Sequence, residues 1–205
     1  MNRARIFFLI FLAAAGVVLP GSQVRAASFD TVVIDAGHGG HDRGGVPGQY
    51  VVEKVMNLDV ATRLQQKLRS AGIRTVMTRS HDVFIPLGGR VATANQISRS
   101  IFVSVHFNSA QNRDARGIET YFYSSRSYLL AAAIHRRVAP IAAENRGIKQ
   151  RGYFVLRRCR VPAVLLELGF LTNREDGRLA LTPRYRDRLA TQIAQGIIAA
   201  RRGTY

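Results

Sequence analysis

Two histidines and a glutamate stand where the sequence predicts that strands end or a helix begins. His38 follows the β-branched run 31–34 inside a glycine-rich loop, and His106 ends the apolar run 101–105. Because the carboxyl ends of parallel strands meet at one edge of a sheet, we expect the two imidazoles to lie close together. Glu53 begins an amphipathic segment after a polar, glycine-containing loop. Its carboxylate is therefore expected at the same edge.

Two imidazoles and one carboxylate form a known catalytic zinc set, which leaves the fourth tetrahedral position for water. Such a site polarises a carbonyl group and supplies hydroxide near neutral pH. Calcium and magnesium prefer shells made only of oxygen, so the set favours zinc, with manganese and cobalt as alternatives. Without the histidines, Glu53 would be interpreted as an acid that stabilises the helix dipole. We predict one catalytic Zn²⁺ bound by His38, Glu53 and His106.

Glu167 interrupts the apolar run 164–168, where an unpaired carboxylate costs on the order of several kcal/mol. At a strand end beside a water molecule, this group would act first as a general base and then as a general acid. It would take the proton of the water and pass it to a leaving nitrogen. The alternative is a structural salt bridge with one of the many arginines. We predict the catalytic role.

The elements that must position these residues alternate along the chain. Apolar runs predict six strands, at residues 31–34, 73–78, 101–105, 118–123, 153–156 and 163–168. Apolar residues at helical spacing predict a long helix from Glu53 towards Gly72 and shorter helices near 90–97 and 129–142. A capping box at 172–175 and the pair Thr182-Pro183 predict two closing helices. We therefore expect a single α/β domain with a twisted, mostly parallel or mixed sheet of about six strands and helices on both faces.

The length of 205 residues, with 47% hydrophobic and 21% charged residues, predicts one globular domain and excludes a disordered or repeat protein. The formal net charge of +17 raises the question of a polyanionic partner. A single cysteine, Cys159, excludes an intramolecular disulfide and a multi-cysteine zinc cluster, and we expect it to be buried.

Residues 1–26 have the pattern of a secretory signal peptide, with two early arginines, an apolar stretch and small residues before Ala26. The catalytic domain would then be 27–205. The apolar stretch is shorter than the roughly 20 residues that span a bilayer, although an uncleaved anchor stays an alternative. Export to the periplasm, the cell wall or the extracellular space argues against nucleic acid as a partner. It favours electrostatic association with an anionic envelope surface, whereas a genome-wide arginine bias is the other explanation of the charge.

Six blocks of the sequence lie in one order, at 35–45, Glu53, 104–109, 117–121, 153–157 and 162–173. Together they resemble the zinc-dependent N-acetylmuramoyl-L-alanine amidases of the bacterial cell wall, the amidase type 3 family. The resemblance covers essentially all of residues 30–200. It implies zinc ligands at His38, Glu53 and His106 and a catalytic carboxylate at Glu167. The implied reaction is hydrolysis of the amide between the lactyl group of N-acetylmuramic acid and the L-alanine of the stem peptide.

The resemblance implies peptidoglycan as the substrate. Other zinc-dependent peptidoglycan hydrolases, a stem peptidase or a deacetylase, are alternatives. A non-catalytic wall-binding protein is a further one, but it would be expected to lack a ligand or Glu167. Some family members carry an extra helix that plugs the site until an activator removes it. The predicted strands and helix fill most of the segment between His106 and Glu167, so we expect an open site that requires no activator protein. We also expect a monomer.

The other polar positions carry weaker expectations. We expect His41 in a loop or substrate groove, and His81 and His135 at the surface. Glu119 could orient a ligand or line the groove, and strand pairing is an equal alternative. For three residues that match family positions, the sequence does not separate substrate contact from buried hydrogen bonding; these are Arg79, Arg90 and Asn95.

Overall fold

Six strands form one sheet in the computed structural model, which describes residues 29–46, 49 and 51–204. The strands are β1 (Thr31–Ala36), β2 (Arg74–Met77), β3 (Ser100–Asn108), β4 (Ile118–Phe122), β5 (Asn145–Gln150) and β6 (Ala163–Phe170). They pair in the order β2-β1-β3-β6-β4-β5, and only β4 and β6 pair antiparallel. The predicted α/β fold with a mixed sheet is confirmed. The predicted signal peptide at 1–26 lies outside the described residues.

Within the described residues, six α-helices connect and cover the strands. They are α1 (Glu53–Ser70), α2 (Leu87–Asn95), α3 (Tyr128–Val138), α4 (Phe154–Arg158), α5 (Arg174–Leu181) and α6 (Pro183–Arg202). Two short 3₁₀ turns flank α3, at Ser125–Ser127 and Ala139–Ile141. Among the described residues, no helix is both long and apolar enough to cross a membrane.

Two sequence-based assignments of secondary structure were wrong. The apolar segment 153–156, predicted as a strand, lies at the start of the helix α4. The missing strand is β5, which is an edge strand with mostly polar, partly exposed residues and therefore lacks the apolar alternation of a buried strand. At α5, the cap is Asn173 and not Thr172, because the Asn173 side chain accepts hydrogen bonds from the backbone N–H groups of Glu175 and Asp176.

The hydrophobic core lies on both faces of the sheet. The larger cluster contains Val32, Ile34 and Val105 of the sheet and the inner residues of α1, α3 and α6. The smaller cluster contains Phe102 and Leu165 together with residues of α2 and α4. Because strand side chains alternate between faces, the even positions of β3 and the odd positions of β6 point to the smaller cluster. This is the face on which His106 and Glu167 lie.

Candidate metal centre

The three residues predicted to bind metal come together at one edge of the sheet. His38 lies in the loop after β1, His106 lies near the end of β3, and Glu53 is the first residue of α1. The carboxylate of Glu53 joins the two rings: its Oε2 is 3.2 Å from His38 Nε2, and its Oε1 is 3.0 Å from His106 Nδ1. One donor atom from each residue lies within 4.8 Å of the others. The cluster could therefore hold a metal ion.

Two glycines leave the space that these donor groups need. A Cβ at Gly37 would lie 2.2 Å from the His106 ring, and a Cβ at Gly44 would lie 2.5 Å from Glu53 Oε2. Gly44 also has a φ of +71°, in the left-handed region that favours glycine. Imidazole nitrogens and a carboxylate oxygen are donors that zinc accepts. The shape and chemistry of the cluster fit such an ion.

Two polar residues that the sequence analysis did not identify orient the donors. His38 Nδ1 donates to Asp42 Oδ2 at 2.8 Å, which leaves Nε2 as the nitrogen with a free lone pair. Asn57 donates from Nδ2 to Glu53 Oε1 at 3.1 Å and to the carbonyl oxygen of Gly37 at 3.2 Å. Asp42 and Asn57 each lie four residues after the donor residue that they orient, and this spacing is the only sign of their role in the sequence.

The charges within the cluster stabilise one another. Burial alone would raise the pKa of Glu53, but hydrogen bonds and charges from His106 and His38 lower it to about 2. Burial would lower the pKa of His38, but its interactions with Glu53 and Asp42 outweigh this and raise it. Protons therefore compete with a metal ion for His38, so metal binding weakens as pH falls.

Arg90 holds the loop that carries His38. Its guanidinium is buried and donates from Nη1 to Asp35 Oδ1 at 2.8 Å and to the Ala36 carbonyl at 2.7 Å. Nη2 donates to the carbonyl of His38 itself at 2.8 Å. The backbone of His38 has a φ of 60°, which is unfavourable for a residue with a side chain. Arg90 thus stabilises a strained loop through buried hydrogen bonds.

Arg79 also binds the backbone of this loop. Its buried guanidinium donates to the carbonyl oxygens of Ala36 at 2.9 Å and of Gly37 and Lys54 at 2.8 Å. Asn95 is bonded to the backbone of α4 and its following turn, through Arg158 O and Arg160 N. All three residues whose role the sequence left open therefore make structural hydrogen bonds.

Glu167 lies beside the cluster on β6. It is opposite His106 in the parallel pairing with β3 and opposite Glu119 in the antiparallel pairing with β4. Its Oε2 is buried and has no hydrogen-bond partner among the described residues, and no described cation forms an ion pair with it. The salt bridge that the sequence left as an alternative is therefore not formed within the described chain. Burial, reinforced by the charges of Glu53 and Glu119, raises the pKa of Glu167 well above its usual value.

The buried Glu119 forms ion pairs with two partly exposed cations. Its Oε1 accepts from Arg146 Nε at 2.6 Å and from Lys149 Nζ at 2.8 Å, and its Oε2 accepts from the Tyr121 hydroxyl. Burial would raise the pKa of Glu119, but these hydrogen bonds lower it. Glu119 therefore stays charged directly opposite Glu167 on the neighbouring strand.

The remaining histidines are not part of the cluster. His81 is exposed, as predicted. His41 is exposed in the loop, where its ring lies 4.3 Å from that of Phe84. The surface prediction for His135 was wrong: it is buried, and it bonds to Thr120 Oγ1 at 2.9 Å and Asn145 Oδ1 at 2.7 Å. Cys159 is half-buried, not fully buried as expected.

Two cavities meet at the cluster. One, of about 480 Å³, extends along the loop after β1 and is lined by residues such as His41, Arg43 and Gln49. The other, of about 360 Å³, extends towards α2 and α4 and is lined mainly by hydrophobic side chains. His38 and Asp42 line both cavities. The two cavities therefore adjoin at these two residues.

Comparisons with known proteins agree on one family. The family profile described as N-acetylmuramoyl-L-alanine amidase, amidase type 3, matches residues 32–199. The chain is 40% identical over 172 residues to the uncharacterized protein YqiI of Bacillus subtilis, and the match covers 82% of each chain. It is 33% identical over 175 residues to the N-acetylmuramoyl-L-alanine amidase LytC of the same organism. That match covers 83% of this chain but 35% of LytC, so the chain spans about a third of that relative.

Solved structures of N-acetylmuramoyl-L-alanine amidases are also similar. The catalytic domain of CwlV, an N-acetylmuramoyl-L-alanine amidase from Bacillus (Paenibacillus) polymyxa, has 36% identity and a TM-score of 0.78. The match covers 82% of this chain and 96% of that one. The amidase AmiC2 of Nostoc punctiforme has 37% identity and a TM-score of 0.77, with 82% and 94% covered.

Proposed function

The chain belongs to the N-acetylmuramoyl-L-alanine amidase family, and from that premise we propose its reaction on peptidoglycan. The enzyme hydrolyses the amide bond between the lactyl group of N-acetylmuramic acid and the L-alanine that begins the stem peptide. The observation that carries this proposal is the convergence of His38, Glu53 and His106 next to a buried carboxyl group, Glu167, without a partner among the described residues. Such a constellation suits metal-assisted hydrolysis.

His38, Glu53 and His106 hold one Zn²⁺ ion in the proposed enzyme. When bound, zinc polarises a carbonyl group and lowers the pKa of water, so that a nucleophile is available near neutral pH. Asp42 fixes the ring of His38 through Nδ1, and Asn57 fixes the carboxylate of Glu53. These two residues position the donors.

Glu167 moves the proton in the proposed reaction. It takes a proton from the attacking water, whose oxygen bonds to the lactyl carbonyl carbon, and it gives that proton to the nitrogen of L-alanine as the C–N bond breaks. The products are a lactyl carboxyl group and a free amino terminus. The raised pKa of the buried carboxyl group supports its ability to hold the proton between the two transfers.

The enzyme acts outside the cytoplasm, after export by the signal peptide predicted at 1–26. It works as a monomer without an activator protein, with 27–205 as its catalytic domain. The test is release of stem peptides from isolated peptidoglycan by the purified, zinc-loaded chain alone. Release that is lost with a chelator and restored by zinc supports the proposal, whereas release only after another protein is added contradicts the open site.

An unpaired basic surface supports attraction to an anionic envelope. Five exposed arginines near α4 form no ion pair with a described carboxylate; they are Arg126, Arg151, Arg157, Arg158 and Arg160. The basic residues between α1 and α6 are different, because Arg63, Lys67 and Arg186 pair with Asp59 or Asp187. Unpaired cations near a groove attract polyanions at low salt.

Cosedimentation with isolated cell walls tests this attraction. Binding that weakens from low to high ionic strength, and that weakens further in R157Q/R158Q than in the control R63Q/R116Q, supports it. Both control arginines are paired with carboxylates, so the two variants lose the same formal charge. Binding that does not change with salt contradicts the proposal.

A further inference from the structure

The hydrophobic cavity beside the metal-binding cluster is lined by several exposed hydrophobic side chains. Phe84, Leu87, Tyr153 and Phe154 line it, and each is 39–54% exposed. They are four of the eleven large hydrophobic side chains that are exposed in the described part of the chain. Exposed hydrophobic side chains that gather at one groove indicate a binding surface.

The charged side chains that line this cavity already have hydrogen-bond or ion-pair partners within the protein. Asp35 and Arg90 are buried and bonded to each other at 2.8 Å, and Asp42 accepts from His38 at 2.8 Å. Among the residues that line the cavity, a ligand with carboxylates would find no Lys or Arg without a carboxylate partner; the exposed Arg158 lies at its rim, 5.9 Å from the centre of the Phe154 ring. The lining therefore favours a ligand that presents apolar faces.

The cavity on the other side of the cluster has the opposite character. Arg43 lines it and is exposed, and no described carboxylate forms an ion pair with it. Gln49 and the backbone of Gly44 and Gly45 add polar groups to the same wall. This groove suits a ligand that carries carboxylates.

A peptidoglycan substrate has both characters, on opposite sides of its scissile amide. The pyranose rings of its glycan expose C–H faces, which pack well against flat aromatic rings, whereas its stem peptide carries carboxylates. We propose that the glycan binds in the hydrophobic cavity, against Phe84, Tyr153 and Phe154, and that the stem peptide extends along the polar groove towards Arg43. This orientation rests on the proposed function and assigns a binding side to each half of the substrate.

The first experiment compares two substrates with the same scissile amide. One carries the disaccharide of N-acetylglucosamine and N-acetylmuramic acid on the stem peptide, and the other carries only a D-lactyl group. Phe154→Leu removes the ring but keeps a hydrophobic side chain. We expect it to lower the ratio of kcat/KM for the sugar-bearing substrate over the lactyl substrate by roughly fivefold.

Leu87 and Leu181 provide a matched pair, because both are leucines with 54% exposure and only Leu87 lines the cavity. Leu87→Ala should lower the same ratio, and Leu181→Ala should leave it unchanged. An unchanged ratio in both Phe154→Leu and Leu87→Ala would overturn the proposal.

The second experiment needs no hydrolysis. The peptide-free disaccharide is titrated by NMR into the zinc-loaded protein, and we expect Phe154→Leu to weaken its binding roughly fivefold while Arg43→Gln does not. Absent binding, equal binding by wild type and Phe154→Leu, or weakening by Arg43→Gln alone would overturn the orientation. Sugar binding that depends on Phe154 in a chain that cleaves neither substrate would contradict the amidase proposal and leave the sugar site supported.

Discussion

His106 and Glu167 lie opposite each other on the adjacent parallel strands β3 and β6. Side chains alternate along a strand, so both project towards the face covered by α2 and α4, in line with Phe102 and Leu165. If either strand were shifted by one residue in this pairing, its side chain, His106 or Glu167, would point to the opposite face of the sheet, into the larger core. The register of these two strands therefore places the carboxyl group beside the metal-binding cluster.

Glu167→Gln tests the role of this carboxyl group, because the amide has nearly the same shape but cannot accept and return a proton. We expect kcat to fall by at least about 100-fold while the protein still binds zinc. Turnover of muropeptides and metal content per chain are the two measurements. Glu175→Gln on α5, which changes an exposed carboxylate, is the control. A kcat within about tenfold of the wild type would show that Glu167 is not the proton carrier.

Gly37→Ala tests the packing of His106 on the loop. Since the added Cβ would lie 2.2 Å from the ring, the imidazole must move out of the cluster. We expect zinc affinity, measured by competition with a chelator, to fall by about tenfold to 100-fold. Gly88→Ala, at a helical position with open space around it, should keep the wild-type affinity. Equal affinities in the two variants would refute this account of the loop.

Arg90→Gln tests the buried ion pair under the His38 loop. The variant leaves Asp35 buried without its cation, and we expect the free energy of unfolding to fall by about 3 kcal/mol. Arg116→Gln breaks an exposed pair with Glu175 and should cost at most about 1 kcal/mol. Chemical denaturation measures both. If the two variants lose the same stability, the buried pair does not support the fold as described.

His135→Gln tests the buried histidine. Burial lowers the pKa of His135 below 6.5, although the Asn145 hydrogen bond opposes this, so the unfolded chain binds a proton more readily. The contribution of His135 to stability is therefore present above about pH 6.5 and is lost as pH falls below it. A glutamine can bond to Thr120 and Asn145 but does not titrate.

The comparison uses metal-free proteins, so that loss of zinc does not contribute. Between about pH 7.5 and about pH 5.5, the free energy of unfolding should fall less in His135→Gln than in the wild type. Parallel curves for the two proteins would contradict the pKa shift.

The sequence was most informative where a strand is buried on both faces. The strands β1, β3 and β6 are central in the sheet and nearly continuously apolar, so their ends, and with them His38, His106 and Glu167, could be predicted. The edge strand β5 has a single large apolar residue, Ile148, and gave no such signal. The short apolar run at 153–156 fits a strand or a helical turn equally well, and the tertiary contacts decide for the helix.

The surroundings of the cluster were less predictable. The roles of Asp42, Arg79 and Arg90 depend on the path of the loop backbone after β1, whose carbonyl groups the two arginines bind. Residue spacing does not encode that path. His135 lies on the buried side of α3 with Ala131 and Val138, and its position at helical spacing from them was the signal that was missed.

The most direct test of the central claim is digestion of one defined muropeptide, a disaccharide with its stem peptide, by the zinc-loaded chain, followed by mass spectrometry. We predict two products that together gain one water: the disaccharide with an intact lactyl carboxyl group and a stem peptide with a free L-alanine amino terminus. The products should be absent when a chelator is present. Cleavage within the stem peptide, or loss of an acetyl group with the lactyl amide intact, would contradict the account.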